Sequence, residues 1–321
     1  MNRRSSDAAF VEVQSLRKQY RQGSPANHDI TFSAGLGEVI AILGPNGAGK
    51  TTLALQLLGL LRPTSGSITV GGIDVIAEPA AVKQIATYQP QGGMAMTGLE
   101  VRRALAFTSR LRGLSWADAR AQANQLAEEF DLMDVFNSTI RNLSGGMQRL
   151  VEVAIAFTGS PRLIVLDEPT NDLDPKHRQL VWRRLHRLQQ TRTATCLVAT
   201  HNLLEAEKAV DRVIIVRDGT IVASGSPGEL KKSISSRLRL DLFIQPDREL
   251  PSSLPGLTEA QELRPGHFRH FLTEAAASRI LPYLLAPEAE SWLDDFQLAP
   301  PSLEDVYFGL EATDYETLAP A

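Results

Sequence analysis

The sequence predicts an α/β fold, with a mixed sheet core, a helical insertion and a second, smaller domain. A glycine-rich loop at residues 44–51 lies between an apolar strand and a helix. Two continuous apolar runs, residues 163–166 and 196–199, are joined by a helical segment at about residues 176–190. Continuous runs of this kind are typical of parallel strands that are buried on both faces. Residues 99–159 change to helical periodicity, which predicts the insertion.

The segment before the insertion contains short runs that are typical of strands. Gly71 and Gly72, after the last of these runs, predict a tight hairpin. We interpret residues 1–9 as a disordered tail. The predicted strands are residues 10–13, 29–32, 38–43 and 67–70.

Two helices can be placed within the insertion. Ser115 and Asp118 form a capping box, which predicts a helix that runs to about Phe130. A second helix has apolar residues at the spacing i, i+3, i+4 and i+7, and Gly159 and Pro161 end it. The residues of that apolar face are Leu150, Val153, Ala154 and Phe157.

The chain after residue 200 completes the first domain and begins a second. Residues 212–224 predict a last hairpin of the first domain. From about residue 237 apolar and polar residues alternate, and proline and glycine then become frequent, as expected for a small domain rich in strands and turns. The predicted boundaries are residues 10–230 for the first domain, about 92–159 for its helical subdomain, and 237–321 for the accessory domain.

The second domain carries two patterns that bear on function. His267 and His270 lack an accompanying acid or cysteine, so we interpret their segment as a surface strand rather than a metal site. Ser302 and Asp305 form a capping box at the start of a helix with one apolar stripe. The stripe comprises Leu303, Val306, Tyr307 and Leu310.

Composition excludes several classes of protein. The 321 residues are 43% hydrophobic and 22% charged, as in ordinary globular proteins, and the formal net charge of -4 disfavours nucleic acid as the main partner. The single cysteine, Cys196, lies in an apolar run and is predicted to be a core residue. No stretch reaches the roughly 18 apolar residues that cross a bilayer, and the N-terminus lacks the apolar core of a secretory signal. We therefore expect a cytoplasmic chain.

The glycine-rich loop matches the pattern G-x-x-x-x-G-K-[ST] of phosphate-binding loops, in the strand-to-helix context that the pattern requires. Its backbone N–H groups are predicted to surround the phosphates, with Lys50 on the β- and γ-phosphates and Thr51 on Mg²⁺. Thr52 is a further candidate phosphate contact. The loop residues are Gly44, Pro45, Asn46, Gly47, Ala48, Gly49, Lys50 and Thr51.

Three further polar residues follow the two continuous apolar strands. Asp167 ends the first strand and suits the Mg²⁺ shell, while the adjacent Glu168 suits a general base that polarises the attacking water. His201 follows the second strand, so the carboxyl edge of the sheet brings it toward the same site. We predict that His201 hydrogen-bonds the γ-phosphate or the attacking water.

A second glycine-rich segment opens the helix that precedes the first of these strands. Ser144 is a good N-cap, and Gly145 and Gly146 expose a helix N-terminus that favours anions. Gln148 completes the segment Leu143-Ser-Gly-Gly-Met-Gln. This segment is therefore a second candidate phosphate-binding surface, and it need not face the first.

Taken in order, the phosphate loop, Leu-Ser-Gly-Gly-Met-Gln, Leu-Asp-Glu-Pro and the later histidine resemble the nucleotide-binding domain of ABC transporters over about residues 10–230. The resemblance implies an ABC-type P-loop ATPase fold with an antiparallel β subdomain and a helical subdomain, joined to a small C-terminal α+β domain. It also implies a head-to-tail dimer, in which Ser144, Gly145 and Gly146 of one copy complete the ATP site of the other.

The same resemblance assigns roles to residues whose immediate sequence surroundings do not indicate a function. Tyr20 would stack on adenine, and Gln91 would contact the γ-phosphate, the Mg²⁺ shell and the membrane partner. Leu173 and Asp174 would form the loop that crosses to the second cassette.

The function that these patterns predict is ATP binding and hydrolysis to power an ABC exporter, with ATP and Mg²⁺ as cofactors. The C-terminal stripe and Met147 resemble ATPases of drug-resistance and polysaccharide exporters, whose permease is a separate chain. The expected partners are a second cassette, in a homodimer, and integral membrane permease subunits, which would hold the chain at the cytoplasmic face of the membrane. An importer ATPase is the first alternative. A soluble ABC ATPase acting on ribosomes or DNA is disfavoured by the single phosphate loop, and a catalytically silent module by the presence of Lys50, Glu168 and His201.

Overall fold

The computed structural model describes residues 9–21, 23–93, 96–234, 238–251, 254–255, 257 and 261–307. It divides the chain into two compact units, Met1–Pro227 and Gly228–Ala321. The strands are β1 Val11–Lys18, β2 Asn27–Ala34, β3 Val39–Leu43, β4 Ser65–Val70, β5 Ile73–Asp74, β6 Ala86–Gln89, β7 Leu163–Asp167, β8 Thr195–Thr200, β9 Arg212–Arg217, β10 Thr220–Gly225, β11 Leu238–Ile244, β12 Gln261–Arg264, β13 His267–Leu272 and β14 Leu293–Ala299. The helices are α1 Lys50–Leu57, α2 Pro79–Ile85, α3 Val101–Leu111, α4 Trp116–Glu129, α5 Gly145–Ala156, α6 Pro175–Thr191, α7 Leu203–Ala206, α8 Pro227–Ile234 and α9 Glu274–Leu284.

The first unit is built on a six-stranded sheet in the order β10-β9-β3-β8-β7-β6. All neighbours pair in parallel except β9 and β10, so β3, β6, β7, β8 and β9 end at the same edge. Every residue of β3, β7 and β8 is buried, as the continuous apolar runs predict. Cys196, in β8, is fully buried, and the prediction of a core residue is confirmed.

A second, antiparallel sheet of the first unit has the order β2-β1-β4-β5. The predicted hairpin after β4 is confirmed, because β4 and β5 pair antiparallel across Gly71 and Gly72. Apolar residues of both sheets share one core, which includes Val11, Ile42 and Leu53. Helix α1 packs against β7 and β8 of the first sheet.

The helical insertion comprises α3, α4 and α5. Ser115 is the N-cap of α4 and accepts a hydrogen bond from the Asp118 amide, so the predicted capping box is confirmed. The rings of Phe130 and Phe157 lie 5.8 Å apart between centroids, which ties the end of α4 to the end of α5. Among the residues that the structure describes, no helix has both the length and the apolar character needed to cross a bilayer.

The second unit is a four-stranded antiparallel sheet, in the order β12-β13-β11-β14, with α9 packed on one face. The interpretation of His267 and His270 as part of a surface strand without an accompanying acid is wrong. Asp241 of β11 is 2% exposed and pairs with His267 as well as with Arg239 and Arg269. His270 is 7% exposed rather than on the surface, because it pairs in register with Leu240 of the core.

The capping box that precedes residues 303–307 is present in the second unit. The Ser302 amide donates to Asp305 Oδ2 at 2.7 Å, and the Asp305 amide donates to Ser302 Oγ at 3.3 Å. Leu303 and Val306 are buried, as the apolar stripe predicts. Leu310, the last residue of that stripe, lies outside the described residues, as does most of the predicted tail at residues 1–9.

Candidate functional site

The glycine-rich loop connects β3 to α1 and wraps around an open space at the carboxyl edge of the sheet. Gly49 has a φ of 97°, which side-chain-bearing residues rarely adopt, and a Cβ there would lie 2.0 Å from the Ala26 carbonyl oxygen. A Cβ on Gly44 would lie 2.2 Å from the Val216 carbonyl oxygen. Glycine at these positions lets the loop pack tightly enough to present its amides at the start of α1, where the helix field favours an anion.

Lys50 is the first residue of α1 and is only 6% exposed. Its Nζ donates to the carbonyl oxygens of Gly44 at 2.7 Å and Pro45 at 3.1 Å, and lies 3.7 Å from Glu168 Oε1. Burial lowers the pKa of Lys50, and the charges of Glu168 and Asp167 oppose that shift. The ammonium group therefore lies inside the loop, with carboxylates as its counter-charges.

Asp167 and Thr51 come together from opposite sides of the site. Thr51 Oγ1 donates to Asp167 Oδ2 at 2.7 Å, and the Tyr88 hydroxyl donates to the same oxygen at 3.3 Å. The other oxygen, Oδ1, is buried and has no hydrogen-bond partner. Burial raises the pKa of Asp167; the Thr51 hydrogen bond opposes this shift, and the charge of Glu168 reinforces it. An unpaired buried carboxylate oxygen beside a hydroxyl is suited to a hard cation.

Glu168 and His201 follow adjacent parallel strands and meet at the edge of the sheet. Glu168 is 3% exposed and has a φ of 52°, a left-handed conformation that is uncommon for residues other than glycine. Its amide donates to the Ala199 carbonyl oxygen at 2.8 Å, which anchors the backbone to β8. Its Oε2 lies 2.9 Å from His201 Nδ1.

The side chains of Lys50, Thr51, Asp167 and Glu168 border one cavity of about 370 Å³. Gln91, which follows β6 after Pro90, reaches the same cavity from the neighbouring strand. Tyr20, Ser144, Asp174 and His201 do not line it. The lining residues are Ala26, Asn46, Gly47, Ala48, Gly49, Lys50, Thr51, Thr52, Gln91, Asp167 and Glu168.

The second glycine-rich segment does not line this cavity. Ser144 is the N-cap of α5 and accepts a hydrogen bond from the Met147 amide at 3.3 Å. Ser144 and Gly145 are exposed, and Gln148 Nε2 donates back to the Leu143 carbonyl oxygen. The structure therefore does not bring this segment together with the phosphate loop of the same chain.

Three other predicted residues also lie outside the cavity. Asp174 is the exposed N-cap of α6 and accepts from the His177 amide, whose hydrogen bond is the main cause of the lowered pKa of Asp174. Leu173, just before it, is buried. Tyr20 is 46% exposed, with Lys18 Nζ 5.4 Å from the centre of its ring.

Arg149 is a site residue that the sequence reasoning did not single out. It is 6% exposed, and its guanidinium donates to the carbonyl oxygens of Pro90, Asp167 and Glu168 at 2.6, 2.8 and 2.7 Å. One side chain of α5 thus fixes the backbone at the ends of β6 and β7. A signal for it exists, because a charged residue that adjoins the apolar face of a buried helix needs a buried partner.

Comparisons with known proteins agree with this geometry. Residues 27–171 match the family model described as ABC transporter. The chain is 34% identical over 331 residues to the doxorubicin resistance ATP-binding protein DrrA of Mycobacterium tuberculosis, covering 98% of this chain and 97% of the relative. It is 39% identical over 233 residues to the daunorubicin/doxorubicin resistance ATP-binding protein DrrA of Streptomyces peucetius, covering 72% of this chain and 70% of the relative.

A solved structure shares the fold. It is a dimeric ATP-binding cassette in a post-hydrolysis state, bound to ADP and Pi, with a TM-score of 0.62 and 24% identity over 67% of this chain and 98% of that chain. The predicted α/β architecture of an ABC ATPase is thereby confirmed. With the match to a relative over nearly the whole length, the chain belongs to the ABC transporter family and is an ATP-binding subunit that hydrolyses ATP.

Proposed function

We propose that this subunit powers an exporter, by ATP-driven dimerisation of two cassettes that work with separate permease subunits. The observation that carries the proposal is the convergence of Lys50, Thr51, Asp167 and Glu168 on one cavity at the carboxyl edge of the sheet. The cavity combines loop amides and an ammonium group for phosphates with two buried carboxylates for a metal and a water molecule.

Within the site each side chain has a separate task. The loop amides and Lys50 hold the β- and γ-phosphates of ATP, with Thr52 as a further contact. Glu168 acts as the general base toward the water that attacks the γ-phosphate, a task worth roughly 10²–10⁴-fold in rate. His201, 2.9 Å from Glu168 Oε2, orients that water and the γ-phosphate. Gln91 reports the state of the γ-phosphate to the permease.

The donor set fits Mg²⁺. Thr51 Oγ1 and Asp167 Oδ2 are 2.7 Å apart, and the unpaired Oδ1 of Asp167 is a further oxygen at the same place. Mg²⁺ is usually held by one or two carboxylates together with substrate phosphates, and Gln91, which also lines the cavity, has one more oxygen to offer. When bound, the ion neutralises charge on the β- and γ-phosphates.

The site needs a second chain to be complete. Ser144 and Gly145 form an exposed helix N-terminus that does not reach the phosphate loop of its own chain. In a head-to-tail pair it covers the nucleotide of the partner, with Asp174 and Leu173 crossing at the contact and Tyr20 against the adenine. The likeness to a dimeric cassette bound to ADP and Pi supports this arrangement.

Export is favoured over import by the extent of the likeness to drug-resistance proteins. The match to the doxorubicin resistance protein covers 98% of this chain, so it includes the second unit as well as the cassette. We propose residues 10–230 as the nucleotide-binding domain and 237–321 as an accessory domain of that type. The permease would hold the chain at the cytoplasmic face of the membrane.

The dimer is tested with a substitution that the isolated chain tolerates. A Cβ on Gly145 meets nothing within 4 Å, so Gly145→Arg leaves the fold intact while filling the surface proposed to meet the partner's nucleotide. In a Glu168→Gln background, we expect ATP binding to persist, measured with a fluorescent nucleotide, and the ATP-dependent dimer to disappear in light scattering. Gly98→Arg, equally unhindered and exposed, is the control and should dimerise. Dimerisation of the Gly145→Arg chain would contradict the arrangement.

Direction and partner are tested together in membranes. The chain is co-expressed with a candidate permease from the same genome, and co-purification with that membrane protein is compared with co-sedimentation with ribosomes. ATP-driven uptake of a transported compound into inverted vesicles supports export, whereas uptake into right-side-out vesicles supports the importer alternative.

A further inference from the structure

The segments that follow β7 and β8 contact each other at two places. The inner contact joins Glu168 to His201 at the nucleotide site. The outer contact joins α6, which follows the first segment, to α7, which follows the second, through Glu205. We propose that the outer contact positions His201 for ATP hydrolysis, an inference that rests on the proposed function of this histidine.

Glu205 is held through both of its carboxylate oxygens. Trp182 Nε1 donates to Oε2 at 2.7 Å, and Arg178 Nη1 lies 3.3 Å from Oε1. Arg178 and Trp182 are four residues apart on α6, so they project from the same face of the helix. Arg178 also donates through Nε to the Leu173 carbonyl oxygen at 2.8 Å. These three side chains, Arg178, Trp182 and Glu205, are named the outer brace.

His201 depends on such support because little else fixes its ring. Its side chain is 56% exposed, and its ring makes one short polar contact with Glu168 among the described residues. The helix that follows, α7, has only 4 residues. A single turn is unstable by itself, so its position is set by contacts at its ends.

Two hydrogen bonds connect Glu205 to Asn202 and Asn202 to Thr200, on either side of His201. The Glu205 amide donates to Asn202 Oδ1 at 3.2 Å, which caps α7. The Asn202 amide donates to Thr200 Oγ1 at 3.1 Å, at the end of β8. His201 lies between these two anchored residues, so a shift of Glu205 moves the turn that carries the imidazole.

A purely structural role makes a different prediction. The Arg178 side chain is 40% exposed and that of Glu205 is 23% exposed. Ion pairs this open to solvent contribute little to stability. If the outer brace acts by positioning His201, its loss should lower the turnover rate much more than the thermal midpoint, because misplacement of a catalytic group by about 1 Å can cost up to ~10²-fold.

The test is steady-state ATP hydrolysis by the full chain with Mg²⁺. For Glu205→Ala we expect kcat to fall about tenfold, while KM for ATP and the thermal midpoint stay close to the parent values. Arg178→Lys keeps the charge but cannot donate to Leu173 and Glu205 together, so kcat should fall there too. Trp182→Phe keeps an aromatic side chain, though a smaller one, and removes one hydrogen bond, so a smaller fall in kcat is expected. Arg183→Ala, at an exposed arginine of the same helix, is the control and should match the parent.

Two results separate this inference from the proposed function. If the parent does not hydrolyse ATP, or His201→Ala hydrolyses it normally, the proposed function of the site fails first. The proposed role of the outer brace is refuted if His201→Ala is inactive while Glu205→Ala and Arg178→Lys keep the parent kcat. It is also refuted if kcat of the two brace variants falls only together with a comparable rise in KM or a fall in thermal midpoint. Should Glu205→Ala not fold, Arg178→Lys and Trp182→Phe, which retain the carboxylate, decide the question.

Discussion

Arg149→Met is expected to destabilise the first unit strongly, although it changes no residue that contacts the nucleotide cavity. The guanidinium donates to three backbone carbonyl oxygens and pairs with Glu152 at 3.0 Å. Hydrogen bonds to charged groups contribute about 1.5–3 kcal/mol each, and removing one member of a buried charged pair costs about 3–5 kcal/mol. Because the bonds to one side chain are not additive, we expect a loss of about 3–5 kcal/mol.

The assay is urea-induced unfolding, monitored by circular dichroism. The free energy of unfolding is taken from the transition of the first unit, because the two units need not unfold together. Arg141→Met, at an exposed arginine shortly before α5, is the control and should change stability by less than about 0.5 kcal/mol. The kcat for ATP should also fall, because Arg149 fixes the carbonyl of Glu168. A stability loss below about 1 kcal/mol would refute the assignment of Arg149 as the residue that fixes these backbone segments.

Two further predictions concern the metal and the second unit. Thr51→Val removes the hydroxyl that donates to Asp167. The gain in ATP affinity that Mg²⁺ provides should fall at least about tenfold, since loss even of an outer-shell partner usually lowers metal affinity by that factor. ATP titrations with and without a chelator measure this gain, and an unchanged gain would contradict the metal site. In the second unit, burial opposes ionisation of Asp241, but hydrogen bonds from Arg269 and His267 and the nearby charges lower its pKa overall. Because the pKa of Asp241 is lower in the folded than in the unfolded chain, its ionised carboxylate stabilises the fold at pH values above the unfolded pKa of about 3.9. This stabilisation is lost as the pH falls through the folded pKa. In thermal melts, the midpoint of Asp241→Asn should therefore fall less at acidic pH than that of the parent. If both chains show the same dependence of the thermal midpoint on pH, Asp241 does not cause the loss of stability in acid.

Much of the core could be predicted because its signals are local. The runs at residues 163–166 and 196–199 are apolar throughout, a pattern typical of strands buried on both faces. Parallel strands share a carboxyl edge, so the sequence places Glu168 and His201 at the same edge of the sheet. They contact each other there because β7 and β8 are neighbours.

What the sequence could not predict depends on which elements are neighbours. Tyr88 meets Asp167 because β6 lies beside β7, an order that no local pattern reveals. Arg149 reaches three carbonyl oxygens only because α5 packs across the ends of β6 and β7. In the second unit, Asp241 is buried beside Arg269 and His267 of β13, which the pattern along β11 alone does not reveal.

Phosphate release by Glu168→Gln tests the central claim most directly, that this carboxylate is the base of a site which two cassettes complete. Glutamine keeps the shape and can still contact His201, but it cannot accept the proton of the attacking water. We expect the variant to bind ATP, to remain dimeric in the presence of ATP, and to release phosphate roughly 10²–10⁴-fold more slowly than the parent. Glu128→Gln, at an exposed glutamate, should release phosphate normally. Release by Glu168→Gln at the parent rate would contradict the account.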